Sequence, residues 1–367
     1  MDLLSAIALV FTPGLGNASI RRLVEVYPEE DIFALPLSEL KRAFGAHKNV
    51  IESIRNKSSF GRAEEELRFC ENNHIRPLFF TDPAFPSRLN TQETEDCPAL
   101  LYCLGQTDLN PERAVSVVGT RRATATGRDN TDMLVRELKS YGPHIVSGLA
   151  YGIDAAAHTA ALDHGLPTVA VLGHGLDRIY PASNRPLAKR ILENGGALVT
   201  EYPSGTAINP GYFPARNRII AAMSEATIVV EASEKGGALI TAAIAGSYQR
   251  EVFAIPGRWG DTYSKGTNNL IATNRALLIR NARDIAFQLG WPIVGDQLSI
   301  DNMKDEGKLS SAEQRIVNLL KEREVLTLEE LSSSTGFSLA KTASILFTLE
   351  LDNRIHALPG HGYQLSF

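Results

Sequence analysis

The chain has 367 residues, 44% of them hydrophobic, which is enough for two or three domains with at least one sizeable core. Its formal net charge of −5 argues against nucleic-acid binding over the whole surface and leaves room for a local basic stripe. No apolar run reaches membrane-span length, and Asp2 falls where a secretory leader needs basic residues, so a cytoplasmic protein without membrane contact is expected.

Residues 1–81 read as short amphipathic helices, with Leu3, Leu4, Ile7 and Leu9 before Pro13 and Ile20, Leu23, Val24 and Tyr27 after it. Gly14-Leu15-Gly16 between them suits a helix-hairpin-helix (SAM-like) module whose amides touch phosphate. A plain tight turn is the stronger reading of those three residues alone. Residues 82–113 look like a connector carrying an edge strand at Ala99 to Leu104. From Ala114 on, apolar runs (Val115 to Val118, Ile145 to Ser147, Thr168 to Leu172, Leu198 to Glu201, Thr227 to Glu231, Val252 to Ile255) alternate with helical patterns such as Ala155 to His164 and Thr241 to Tyr248. That alternation predicts an α/β domain, a doubly wound Rossmann-like parallel sheet, over 82–295, with ligand loops at the C-terminal ends of its strands.

A polar linker is expected over 296–306. After it come helices from Ser310, Thr327 and Ser338, then a hairpin of Arg354 to Leu358 and Gly362 to Leu365 around Pro359-Gly360, the order of a winged helix over 307–367. Its third helix carries one cation, Lys341, with Glu350 and Asp352 near its end. Docking a protein or packing on the main domain therefore fits it better than reading a major groove.

The strand-end loops are rich in glycine and arginine. Gly119-Thr120-Arg121-Arg122 stands where a dinucleotide-binding protein would show G-x-G-x-x-G. One glycine, a hydroxyl and two mobile cations suit phosphate diesters better than a buried pyrophosphate. Ser147-Gly148 and Gly152 form a second loop open to close backbone approach. Gly173-His174-Gly175 with the following Arg185 forms a third. Phe213-Pro214-Ala215-Arg216-Asn217-Arg218 sets two guanidinium groups beside an amide at a helix entrance, a pattern expected to clamp a polyanion, with the Phe213 ring available to a base. A capped helix start with solvated arginines is the plainer reading of those six residues. Gly236-Gly237 and Lys265 add two more loops on the same rim.

Catalytic constellations are scarce. Asp154 and His158 share a helix face and read as a structural pair, and no H-E-x-x-H, nucleophile elbow or P-loop lysine is present. Cys70, Cys97 and Cys103 lack C-x-x-C spacing and clustered histidines, so no structural zinc or disulfide scaffold is expected. Neither cofactor nor metal is anticipated. A second reading keeps the same rim for an enzyme or sensor of a nucleoside phosphate, with Glu231 as general base or ribose ligand. A third makes the C-terminal module a duplex-binding regulator.

Taken in order, Ser147 to Asp154 with Ala157-His158, Gly173 to Pro181 with Asn184, Phe213 to Ile220, Leu239-Ile240-Thr241-Ala242 and Pro256-Gly257 resemble the DNA-processing protein A (DprA/Smf) family over about 115–285. That resemblance implies a homodimeric, non-enzymatic single-stranded DNA binder that loads the recombinase RecA and protects DNA entering during natural transformation. It also implies a DNA pocket built from Gly119, Thr120 and Arg121, the glycines of the second loop, and Arg216 with its neighbours. Three departures from the family pattern stand out: Thr120 where serine is usual, Gly236-Gly237 where Ser-Gly is usual, and Asn274-Arg275-Ala276 where Gly-Ala is usual.

Overall fold

The computed structural model describes residues 2–28, 31–45, 47–90, 97–292, 309, 311–323, 325–351, 354–358 and 362–365. The expected linker over 296–306 and the Pro359-Gly360 turn lie outside them. The chain divides into two compact units at residues 293/294.

The first unit opens with five helices: α1 (Leu3–Val10), α2 (Asn17–Val26), α3 (Leu37–Phe44), α4 (Lys48–Arg55) and α5 (Phe60–Asn72). Asp2 caps α1 by accepting the Ser5 amide at 2.9 Å, and Pro36 sets the start of α3. Their apolar faces bury Ile7, Leu9, Ile20, Leu23, Leu40 and Ile54, in a core continuous with one face of the sheet. Glu66 of α5, almost fully buried, accepts the Ser204 amide at 2.8 Å and an Arg62 nitrogen at 2.7 Å. One carboxylate thus ties the helical region to a loop of the sheet.

Nine strands follow: β1 (Ile75–Phe79), β2 (Leu100–Gly105), β3 (Ala114–Val118), β4 (His144–Ser147), β5 (Thr168–Val171), β6 (Ala197–Thr200), β7 (Ala226–Val229), β8 (Glu251–Ala254) and β9 (Leu277–Leu278). They order as β1-β2-β6-β5-β4-β3-β7-β8-β9. The run from β6 to β9 is parallel, while β2 joins β6 and β1 joins β2 antiparallel. The strand expected at the edge, near Ala99 to Leu104, is therefore internal. The edge is β1, whose Pro77 has no N–H to give to a further strand.

Helices cover both faces: α6 (Ser87–Asn90), α7 (Ala125–Leu138), α8 (Ile153–His164), α9 (Arg185–Glu193), α10 (Tyr212–Ala222), α11 (Gly237–Ser247), α12 (Lys265–Ala272) and α13 (Ala282–Gln288). That is why the strands read as apolar runs: Val115, Val117, Ile145 and Ile228 enter one core, and Val118, Val146 and Val229 the other. The sheet is a Rossmann-like doubly wound one, and its connections reverse at β3, which pairs with β4 on one side and β7 on the other.

The second unit has the winged-helix order: α14 (Ser311–Arg323), β10 (Val325–Thr327), α15 (Leu328–Thr335), α16 (Leu339–Leu351), β11 (Ile355–Leu358) and β12 (Gly362–Leu365). Thr327 and Glu330 form a capping box on α15, and Ile316, Leu320, Leu331, Leu346, Leu349 and Ile355 fill a separate small core. The short strand β10, absent from the sequence reading, pairs with β12.

Candidate nucleic-acid interface

Loops after β3, β4, β5, β7 and β8 meet at one rim, and backbone hydrogen bonds stitch them together. Thr120 N–H donates to the Glu231 carbonyl at 2.8 Å, Ile153 N–H to the Thr120 carbonyl at 3.2 Å, and Ala232 N–H to the Tyr263 carbonyl at 2.7 Å. Close approach demands glycine at two points. Gly152 has φ +78, and a Cβ there would overlap the Thr120 carbonyl oxygen; a Cβ on Gly148 would overlap the Arg216 guanidinium.

The structure relocates the central residue of the expected clamp. Arg216, 3% exposed, points into the protein, where one guanidinium nitrogen donates to the carbonyls of Gly148 (2.6 Å) and Val171. It holds the ends of β4 and β5 rather than offering a fork to a phosphate. Burial brings its pKa down to about 10, opposed by nearby Asp154, so it remains cationic at neutral pH. Asp154 accepts the Gly148 amide at 3.2 Å, and its own pKa is raised by burial against the pull of Arg216. An arginine turned inward needs oxygen partners for its N–H groups, and the glycine-rich loop supplies bare carbonyls close enough to serve.

Other expected contacts are engaged internally too. The buried Ser147 hydroxyl donates to the Val117 carbonyl at 2.7 Å, the Gly148 amide serves Asp154, and the Gly236 amide donates to the Ser233 carbonyl at 3.0 Å. In this structure the hydrogen bonds of these groups support the loops from within rather than pointing outward. Arg218 is mostly buried in a 2.6 Å ion pair with Glu201. Asp154 and His158 form no hydrogen bond with each other: the His158 ring meets the Thr168 hydroxyl at 2.7 Å, and burial drives its pKa down to about 3. Since Thr168 Oγ1 donates to the Ile145 carbonyl, His158 Nδ1 is the donor, as a neutral tautomer requires.

What remains outward is cationic and aromatic. Arg121 and Arg122 are exposed on the β3 loop, and the Arg121 guanidinium lies 5.6 Å from the Phe213 ring centroid. Phe213 is half-buried, with Tyr180 at 5.4 Å on its ring, and Gly173 leaves it room, since a Cβ there would press on the ring and its backbone. Gly119, Thr120 and Asn217 are half-buried at the same loops, while Arg185, Gly237 and Lys265 are exposed. Among the described residues, Arg122, Arg185, Lys235 and Lys265 have no carboxylate partner.

The crevice at the strand reversal, where the N-terminus of α7 would receive a pyrophosphate in a dinucleotide binder, is filled by the protein's own carboxylate. Glu231 accepts the Thr124 amide at 3.0 Å and its hydroxyl at 2.6 Å, while Thr124 Oγ1 caps the Gly127 amide at 2.9 Å. Each carboxylate oxygen is engaged within the protein, so Glu231 ties the β7 loop to the start of α7. Sequence reasoning missed this plug, although Thr124-Ala125-Thr126-Gly127 carries an N-cap signal. Among the described residues no cluster of His, Cys, Asp or Glu is arranged to hold a metal ion, and no helix is long and apolar enough to cross a membrane.

Comparison with known proteins agrees along most of the chain. A family model described as DNA recombination-mediator protein A matches residues 76–290, and one described as DprA winged helix domain matches 304–361. Protein Smf of Synechocystis is 37% identical over 286 residues, covering 76% of this chain and 70% of that protein. The X-ray structure of DNA processing protein A from Streptococcus pneumoniae superposes with a TM-score of 0.64 at 31% identity, over 78% of this chain and 98% of that one. A DNA processing protein A from Helicobacter pylori, described by its single-stranded DNA binding mode, gives 0.52 at 33% identity, over 59% of this chain and 95% of that one.

Proposed function

The chain belongs to the DNA recombination-mediator protein A (DprA/Smf) family of DNA-processing proteins, and from that premise we propose that its strand-end rim binds single-stranded DNA with little sequence preference. The observation that carries the reading is the pairing of exposed, carboxylate-free cations with an aromatic face: Arg121 over Phe213, with Arg122 beside it. Guanidinium groups neutralise phosphates wherever the strand runs, and a ring accepts any base, so the chemistry is tolerant of sequence. The filled crevice at Glu231 favours this over a nucleoside-phosphate enzyme. Arg216, Ser147 and Gly148 then serve by fixing the loops and buried Gly173 by seating Phe213, while Gly119, Thr120, Gly152, Arg185, Asn217, Gly237 and Lys265 form the surface along which the strand runs.

On the same reading the protein is a non-enzymatic, homodimeric cytoplasmic factor that protects single strands and helps load RecA recombinase in recombination and natural transformation. Kinship with the Smf and DprA proteins supports that reading. A fluorescence-anisotropy salt titration with an oligothymidylate tests the binding. Arg121→Ala should weaken affinity and flatten the log–log salt slope by about 0.7, the release expected for one phosphate contact on a single strand. An unchanged slope and affinity would remove Arg121 from the interface.

A further inference from the structure

Trp259 is 94% exposed, whereas the chain's other tryptophan, Trp291, is 6% exposed. We propose that Trp259, with Arg258 beside it, is a second base-stacking platform that extends the single-strand path beyond Phe213 to the β8 loop. This deepens the DNA-binding reading and rests on it.

Leaving an indole in water forgoes the burial that usually stabilises so large a ring, so a bare one on an ordered loop marks a surface made to be covered. Order is provided locally. The Asn268 side chain accepts the Gly257 amide at 3.1 Å and donates to the Gly257 carbonyl at 3.0 Å, and Asp261 N–H closes a turn onto the Arg258 carbonyl at 3.1 Å. Trp259 and Gly260 are the two central residues of that turn, so the ring projects from a short, pinned tip.

The tip belongs to the same rim as Arg121. Thr120 is bonded to Glu231, Ala232 to Tyr263, and Gly266 N–H to the Ala232 carbonyl at 2.8 Å, which leads from the β3 loop to the β8 loop without a break. β3, β7 and β8 are successive neighbours, so their ends lie on the order of 10 Å apart in total. That is within the reach of a bound oligonucleotide. Lys235 and Lys265 add exposed cations along the way.

A nucleic acid suits this ring better than a protein partner. Protein hot spots sit in apolar surroundings that exclude water, but Pro256, Gly257, Arg258, Gly260, Asp261 and Thr262 are all exposed and mostly polar or bare. A flat base needs only the ring, and Arg258, which has no carboxylate partner among the described residues, is placed for the adjoining phosphate.

The test uses the full chain and an oligothymidylate of about 16 nucleotides, at the upper end of single-strand site sizes. Trp259→Ala should lower affinity at least about fivefold with the salt slope unchanged, because a stacked ring releases no counterion. Trp259→Phe should retain most of the affinity. Tryptophan emission of the wild type, but not of Trp259→Phe, should be quenched on binding. If the wild type binds while Trp259→Ala binds equally well and emission does not change, this inference is overturned and the DNA-binding reading stands. Should Trp259→Ala instead leave DNA affinity intact and lower self-association in sedimentation, the ring belongs to a protein contact and the inference is likewise overturned. A wild type that binds no oligothymidylate removes the DNA-binding reading itself.

Discussion

Removing Arg216 and removing Arg121 should break different properties of the same loops. Arg216→Ala leaves the Gly148 and Val171 carbonyls without their shared donor and deprives buried Asp154 of the cation that offsets its burial. A loss of about 3 kcal/mol or more in denaturant unfolding is expected. Arg121→Ala, at an exposed position, should leave the unfolding midpoint unchanged and alter only DNA binding. If Arg216→Ala kept full stability, the inward guanidinium would not be holding the loops. His158 supplies a pH dependence of known sign. Its folded pKa, pushed down to about 3, lies below the unfolded value of about 6.5, so the unfolded chain binds the extra proton between them. The contribution is fully present above about pH 6.5 and is lost as pH falls toward 3, by at most about 1.4 kcal/mol per unit. Asp154, raised by burial, works with the opposite sign where its folded form still holds a proton that the unfolded form has lost. The comparison that isolates the histidine is therefore wild type against His158→Asn across pH 4 to 7. The variant should show the shallower acid destabilisation.

At the scale of elements, the parallel strands were legible because both faces of the sheet are covered, which makes each strand a short apolar run, and helix-length segments separate them. The first strand was not legible. Ile75–Phe79 is interrupted by Arg76 and Pro77, which break the strand pattern of its apolar residues, and it is fixed by antiparallel pairing with β2, a contact no local pattern reports. The same limit hid the direction of Arg216. An arginine after a proline at a helix start looks solvated, and only the carbonyls of Gly148 and Val171, remote in sequence, draw it inward. The plug at the strand reversal tests how far one element depends on another. Gly127, in the first turn of α7, leaves room for the Glu231 carboxylate; a Cβ there would overlap it. Gly127→Ala should therefore expel Glu231 and loosen the helix start. It should destabilise the protein, although alanine is the better helix former by about 1 kcal/mol. A calorimetric midpoint equal to or above that of the wild type would show that the carboxylate is not seated against this glycine.

Across the whole molecule, the second unit contributes few of the cations. Residues 307–367 hold six Lys or Arg against seven Asp or Glu, so this unit has no net positive charge with which to displace counterions from a nucleic acid. Its third helix, α16, presents Leu339 and Phe347 to solvent, 51% and 64% exposed. Its one lysine, Lys341, lies over the Phe337 ring at 4.5 Å, and Arg315 of α14 approaches the same ring at 5.3 Å. An apolar face with its cations folded onto an aromatic suits a protein surface better than a groove lined with phosphates. Deleting residues 307–367 should therefore leave the sheet unit folded, shift single-strand affinity by no more than about threefold, and leave the salt slope within about 0.7, less than one phosphate contact. Loss of most of the binding, with a slope lowered by two or more such steps, would instead place the DNA-contacting cations on the winged helix and turn attention from the strand-end rim to α16.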